Sequence, residues 1–207
     1  MARSRYIGRV AITNERIVWI DCEMTGLDAE NDALIEVAAL VTDSELNILG
    51  EGVDVVIKPS AESLAQMGDF VRNMHTTSKL IDELDGGTTM EDAQAQVLAY
   101  IREHVPVPNK APLAGNSIGT DKVFLVRDMP ELVEHLHYRV IDVSTIKELA
   151  RRWYPRAYFQ SPAKTGNHRA LGDIKDSINE LKYYREAVFV PAPGPDTATA
   201  KKISAKH

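Results

Sequence analysis

Asp21 and Glu23 close the run Ile-Val-Trp-Ile-Asp-Cys-Glu, two residues apart. On a strand, positions i and i+2 project from the same face, so both carboxylates would point to one place. Like charges beside an apolar sheet repel and need a cation or strong donors. Carboxylate oxygens suit Mg²⁺ or Mn²⁺, and no cysteine–histidine cluster argues for zinc. The pair is read equally well as the solvated end of a strand. Asp121 follows the loop GNSIGT at 115–120, where a metal ligand and a helix N-cap are both consistent with an aspartate. The glycines there lack the Gly-Lys-Ser/Thr ending of a phosphate-binding P-loop. His168 and Asp173 lie in NHRALGD at 167–173. Five helical residues turn the side chains ~140° apart, so the two share a site only if His168 sits at or before the helix start. Otherwise they are a surface histidine and a solvated aspartate. Gly172, beside Asp173, costs ~1 kcal/mol relative to alanine inside a helix and suggests close approach of another backbone or a ligand.

The elements that must position these groups are legible in outline. The apolar run at 16–20 predicts a central strand buried on both faces. Further apolar runs at 34–41 and 53–57 predict a second and third strand, with turn formers Asp43, Ser44, Asn47 and Gly50 between them. Short links make these three an antiparallel meander. One or two short helices are expected within 63–84. A helix over 88–104 opens on Thr-Thr-Met-Glu and carries Ala93, Val97, Leu98 and Ile101 at helical spacing. Then follow a strand at 112–116, a helix at 121–127, a strand at 139–143 and a helix at 144–153 capped by Ser144. A loop at 161–167 leads to a long helix over 169–188, with Leu171, Ile174, Ile178, Leu181 and Tyr184 on its apolar stripe. This order predicts an α/β fold, a mixed sheet flanked by helices. Residues 1–190 form one domain, and 191–207 lack periodicity and read as a flexible tail.

Bulk composition bounds the function. A chain of 207 residues suits one domain plus a tail, and 44% hydrophobic residues are enough for a core without staples. Cys22 is the only cysteine, so no intramolecular disulfide forms, which fits a reducing cytoplasm. Neither a signal peptide nor a membrane span is expected. A net charge of −6 argues against a broad grip on long nucleic acid. It is compatible with a cluster of carboxylates whose sign bound cations locally reverse.

Three segments together are more specific than any one: IDCEMTGLD at 20–28, GNSIGTD at 115–121 and NHRALGD at 167–173. They resemble the motifs of the His-containing branch of the DEDD exonuclease superfamily. Within it the chain looks like the oligoribonucleases, with further likeness at 138–155 and in Arg-Glu-Ala-Val-Phe at 185–189. The resemblance covers nearly all of the chain except its first few residues and the tail. It implies a ribonuclease-H-like fold with three antiparallel strands followed by parallel ones, and a homodimer. It implies 3′-to-5′ hydrolysis of short RNA oligonucleotides, dinucleotides included, with two divalent cations, Mg²⁺ or Mn²⁺, held by Asp21, Glu23, Asp121 and Asp173. His168 takes the place of the general base. Leu27 matches a base-wedging leucine, and Phe70 stands where a tryptophan is usual for stacking. Ser117, Tyr138, Arg139, Ser144 and His75 match a cap that holds phosphate. Two rival readings share these residues: a proofreading-type exonuclease on DNA ends, and a non-catalytic nucleotide-binding protein on the same fold.

Overall fold

The computed structural model describes residues 15–164 and 168–207. Strands β1 (Ile17–Met24), β2 (Leu34–Thr42) and β3 (Ile48–Val56) form the antiparallel meander. Strands β4 (Pro112–Gly115) and β5 (His137–Asp142) join parallel to β1, giving the five-stranded order β3-β2-β1-β4-β5. β1 is therefore central, as its unbroken apolar run requires. Val18, Trp19 and Ile20 are fully buried, and the Trp19 indole N–H donates to Thr42 Oγ1 at 3.0 Å.

Helices cover the two faces unequally. Short helices α1 (Ala61–Gln66), α2 (Asp69–Thr77) and α3 (Leu80–Glu83) follow β3. Next come α4 (Met90–His104), α5 (Gly119–Asp128) and α6 (Pro130–His135), then α7 (Val143–Trp153), α8 (Pro155–Phe159), α9 (Ala170–Ala187) and α10 (Thr197–Ser204). Val18, Ile20, Cys22 and Met24 pack with Ala93, Val97 and Ile101 of α4, Phe124 and Leu125 of α5 and Leu132 of α6. Trp19 packs on the other face with Ala38, Leu40 and Ala170, Ile174 and Ile178 of α9. Strand alternation thus puts Asp21 and Glu23, in step with Trp19, on the face that α9 covers.

The structure departs from the sequence reading at several ends. β3 starts at Ile48 because Asp43 Oδ1 accepts the N–H groups of Glu45 and Asn47, both at 2.9 Å, which tightens the β2–β3 turn. The strand also admits Gly52 at φ +91, a conformation that disfavours any side chain. α4 is capped by Thr89, whose side chain accepts from Asp92 N, one residue later than expected. The α7 cap is Asp142 rather than Ser144, which leaves the Ser144 hydroxyl free for other bonds. α6 and α8 were not expected; both begin on a proline, whose fixed φ suits a first helical turn. Within 191–207, Asp196 caps α10, which buries no residue. The loop expected at 161–167 falls partly outside the described residues.

Candidate active site

Three of the expected ligands converge. Side-chain oxygens of Asp21, Glu23 and Asp173 all lie within 4.8 Å of one another. Asp21 and Glu23 come from the end of β1 and Asp173 from the first turn of α9. Asp121 stands beside this trio, outside that distance. It is nearly buried on the first turn of α5, and its Oδ1 accepts the Cys22 N–H at 3.0 Å. This bond ties α5 to β1 between the two strand carboxylates.

The electrostatics follow from burial that nearby cations and donors only partly offset. Burial, then the charges of Asp121, Asp173 and Glu23, pushes the Asp21 carboxyl up to about 9. Glu23 is pushed up to about 8 by burial, then by Glu36, Asp173 and Asp121. Burial also raises Asp121, to about 6, although the bonds it accepts pull the other way. Asp173 is raised by burial and relieved by His168 and Lys164. A cluster so poor in neutralising donors suits a cation, and its donors are all carboxylate oxygens, the set that hard divalent ions prefer. The residues present therefore fit Mg²⁺ or Mn²⁺.

His168 meets the condition set by the helix pitch. It precedes Arg169, the cap residue of α9, and is exposed, with φ 47. A proton on its ring would favour the Asp173 carboxylate. His75, which the resemblance matches to the cap, is buried beside Glu23. It is the one buried residue of α2, and its Nε2–H donates to the Met24 carbonyl at 2.9 Å. Its Nδ1 lies 3.9 Å from Glu23 Oε2 and has no hydrogen-bond partner among the described residues. Burial lowers its pKa, against the bond to Met24 and the charge of Glu36.

The other cap residues divide into two groups. Ser117 N–H donates to Asp142 Oδ1 and Ser144 Oγ, at 3.0 and 2.9 Å, and the two serine oxygens are 3.0 Å apart. Ser144 Oγ donates to Asn116 Oδ1 at 3.1 Å, and Asn116 Nδ2 donates to Ser177 Oγ and Glu180 Oε2 at 2.8 and 3.1 Å. Tyr138 and Arg139 lie at the opposite end of β5, with the Arg139 guanidinium 5.5 Å from the Tyr138 ring centre. Four residues of strand separate Tyr138 from Asp142 by ~13 Å along β5. Leu27 and Phe70 are 76% and 82% exposed, apolar surfaces free to meet flat rings. A Cβ built at Gly172 meets nothing within 4 Å, so no other backbone among the described residues approaches it.

Sequence reasoning missed Asn116, Asp142, Glu36 and Glu83. Only Glu36 left a signal, a lone charge in the otherwise apolar run Leu-Ile-Glu-Val-Ala at 34–38.

The profile of the exonuclease family RNase_T matches residues 18–181. The oligoribonuclease of Streptomyces coelicolor is 71% identical over 194 residues, covering 94% of this chain and 97% of its own. The oligoribonuclease of Mycobacterium avium is 58% identical over 192 residues, covering 92% and 89%. Among solved structures, an exonuclease I superposes with TM-score 0.66 at 16% identity, covering 84% of this chain and 41% of that one. The zinc-bound Escherichia coli exonuclease I complex with single-stranded DNA also gives TM-score 0.66, over 83% of this chain and 40% of that one. These two likenesses establish the shared ribonuclease-H-like fold alone. Motifs, carboxylate geometry and near-full-length identity agree: the chain belongs to the oligoribonuclease family of 3′-to-5′ exoribonucleases.

Proposed function

We propose that this protein hydrolyses short oligoribonucleotides, down to dinucleotides, from the 3′ end to nucleoside 5′-monophosphates, and so completes RNA degradation in the cytoplasm. The convergence of Asp21, Glu23 and Asp173, with Asp121 beside them, carries this reading. These four carboxylates would hold two divalent cations, Mg²⁺ or Mn²⁺. Bound there, the pair supplies charge relief at phosphorus, a hydroxide at neutral pH and a stabilised leaving oxygen. His168 takes the proton from the attacking water, and its exposed place ahead of α9 lets the ring reach solvent. Leu27 wedges between two bases and Phe70 stacks on one. The linked hydroxyls of Ser117 and Ser144 hold the phosphate on the far nucleotide.

The short-substrate preference has physical support. The chain's net charge of −6 offers no continuous hold on a long polymer. A cap beyond the second nucleotide excludes longer chains by leaving them no room. Two copies would complete that cap, with Tyr138 and Arg139 of one closing over the serines of the other. β5 is an edge strand with Tyr138 and Val140 exposed, and Trp153, Phe159, Phe189 and Val190 are exposed as well. Exposed apolar area of this kind marks interfaces. Among the described residues, no helix is long and apolar enough to cross a membrane.

Asp121→Ala tests the site. It should abolish hydrolysis of a diribonucleotide, as should EDTA, with Mg²⁺ or Mn²⁺ restoring only the EDTA-treated enzyme. Unchanged turnover in either case removes the site assignment.

A further inference from the structure

Arg169 stands between His168 and the first residue of α9, and its guanidinium joins three elements. Nε donates to Glu36 Oε1 at 2.7 Å, while the two terminal nitrogens donate to Glu83 Oε1 and Oε2 at 2.8 and 3.1 Å. Glu36 is wholly buried in β2 and is the cross-strand partner of Glu23. Its Oε2 accepts the Ala170 backbone N–H at 3.0 Å. Arg169, the cap residue of α9, makes no side-chain cap hydrogen bond. One buried carboxylate therefore satisfies the helix start and anchors the guanidinium. Glu83 ends α3, whose Leu80 packs with Ile35 of β2 and with Leu84 just beyond it. The bridge thus spans β2, α3 and the first turn of α9.

The geometry has a consequence for chemistry. A buried carboxylate left alone is costly, and a forked guanidinium at hydrogen-bond distance offsets that cost in a fixed orientation. Lysine keeps the charge but cannot serve two carboxylates in a plane. Backbone direction changes sharply here: His168 has φ 47 and Arg169 φ −129, after which the helix begins. Asp173 lies less than one turn beyond Ala170, so the setting of that first turn fixes where its carboxylate stands relative to Asp21 and Glu23.

We propose that the Glu36–Arg169–Glu83 bridge is a positioning latch that holds the start of α9, and so places Asp173 and His168 against the β1 carboxylates. The catalytic half of this statement rests on the exonuclease reading above; the structural half does not.

The test uses the full-length protein as Arg169→Lys, Glu83→Gln and the double variant. Arg169→Lys should lower kcat on a diribonucleotide by roughly tenfold, since sub-ångström misplacement of reacting groups costs rates of this order. KM should stay within about twofold, the mark of a transition-state effect. Glu83→Gln should cost less, and its effect should vanish in the Arg169→Lys background, because both act through one bridge. In cation-free protein, hydrogen exchange should rise roughly tenfold at the Ala170 amide in Arg169→Lys and stay unchanged at Trp19 in the core. Unchanged kcat, additive effects, unchanged exchange at Ala170, or exchange raised equally at Trp19 would each overturn the latch. If the unaltered enzyme fails to cleave diribonucleotides, the substrate reading falls, and the exchange measurement still decides the latch.

Discussion

Asp21→Asn should stabilise the cation-free fold, and the size of the effect should depend on pH. Asp21 is raised from 3.8 to about 9 and Glu23 from 4.5 to about 8, chiefly by burial and then by neighbouring carboxylates. Between the unfolded and folded values, the folded state holds protons that the unfolded chain has released. Stability therefore falls as pH rises above about 4 and levels off only near about 9. At about pH 7.5, Asp21 sits nearly four pH units above its unfolded value, a ceiling of about 5 kcal/mol at ~1.4 kcal/mol per unit. The carboxylates share this penalty, so removing one should recover about 2 kcal/mol, a rise in Tm of about 4–8 °C for a chain of this length. At about pH 5 less than half of that gain should remain. Thermal unfolding after EDTA treatment and dialysis, at both pH values, measures it. Adding Mg²⁺ should raise the unaltered protein's Tm at the higher pH and move Asp21→Asn much less. A variant less stable than the unaltered protein at the higher pH, or equal gains at both, would refute the electrostatic account.

Two further outcomes follow from exposed side chains. Phe70→Ala should raise KM for a diribonucleotide by roughly tenfold with kcat little changed, since base–aromatic stacking is worth ~1–3 kcal/mol; steady-state kinetics on one diribonucleotide would show it, and an unchanged KM would remove Phe70 from the site. Light scattering should give twice the chain mass, and Trp153→Glu with Phe159→Glu should give a folded species of single mass; a monomeric unaltered protein would contradict the shared cap.

Much of the site was legible because its chemistry sits on regular elements. Period-2 alternation placed Asp21 and Glu23 together, and helix pitch set the condition that His168 meets by preceding α9. What stayed hidden depends on contacts distant in sequence. The cross-strand pairing of Glu23 with Glu36, and the reach of Arg169 to Glu83, exist only once β2 and α3 are folded against α9. The burial of His75 could not be read from its type or position, because the packing of α2 decides which way its ring faces. Ser144 at a helix start reads as a cap, yet Asp142 takes that role and releases the hydroxyl to Asn116. The shift of β3 came from a turn whose side-chain bonds to Asp43 compress it.

The most direct test is a chain-length series: cleavage rates on RNA and DNA of about two, five and twenty nucleotides with Mg²⁺ or Mn²⁺, Asp121→Ala run beside each. The account predicts fastest turnover on diribonucleotide, a steep fall with length, weak action on DNA and none by Asp121→Ala. Equal rates on long DNA, or activity in Asp121→Ala, would contradict it.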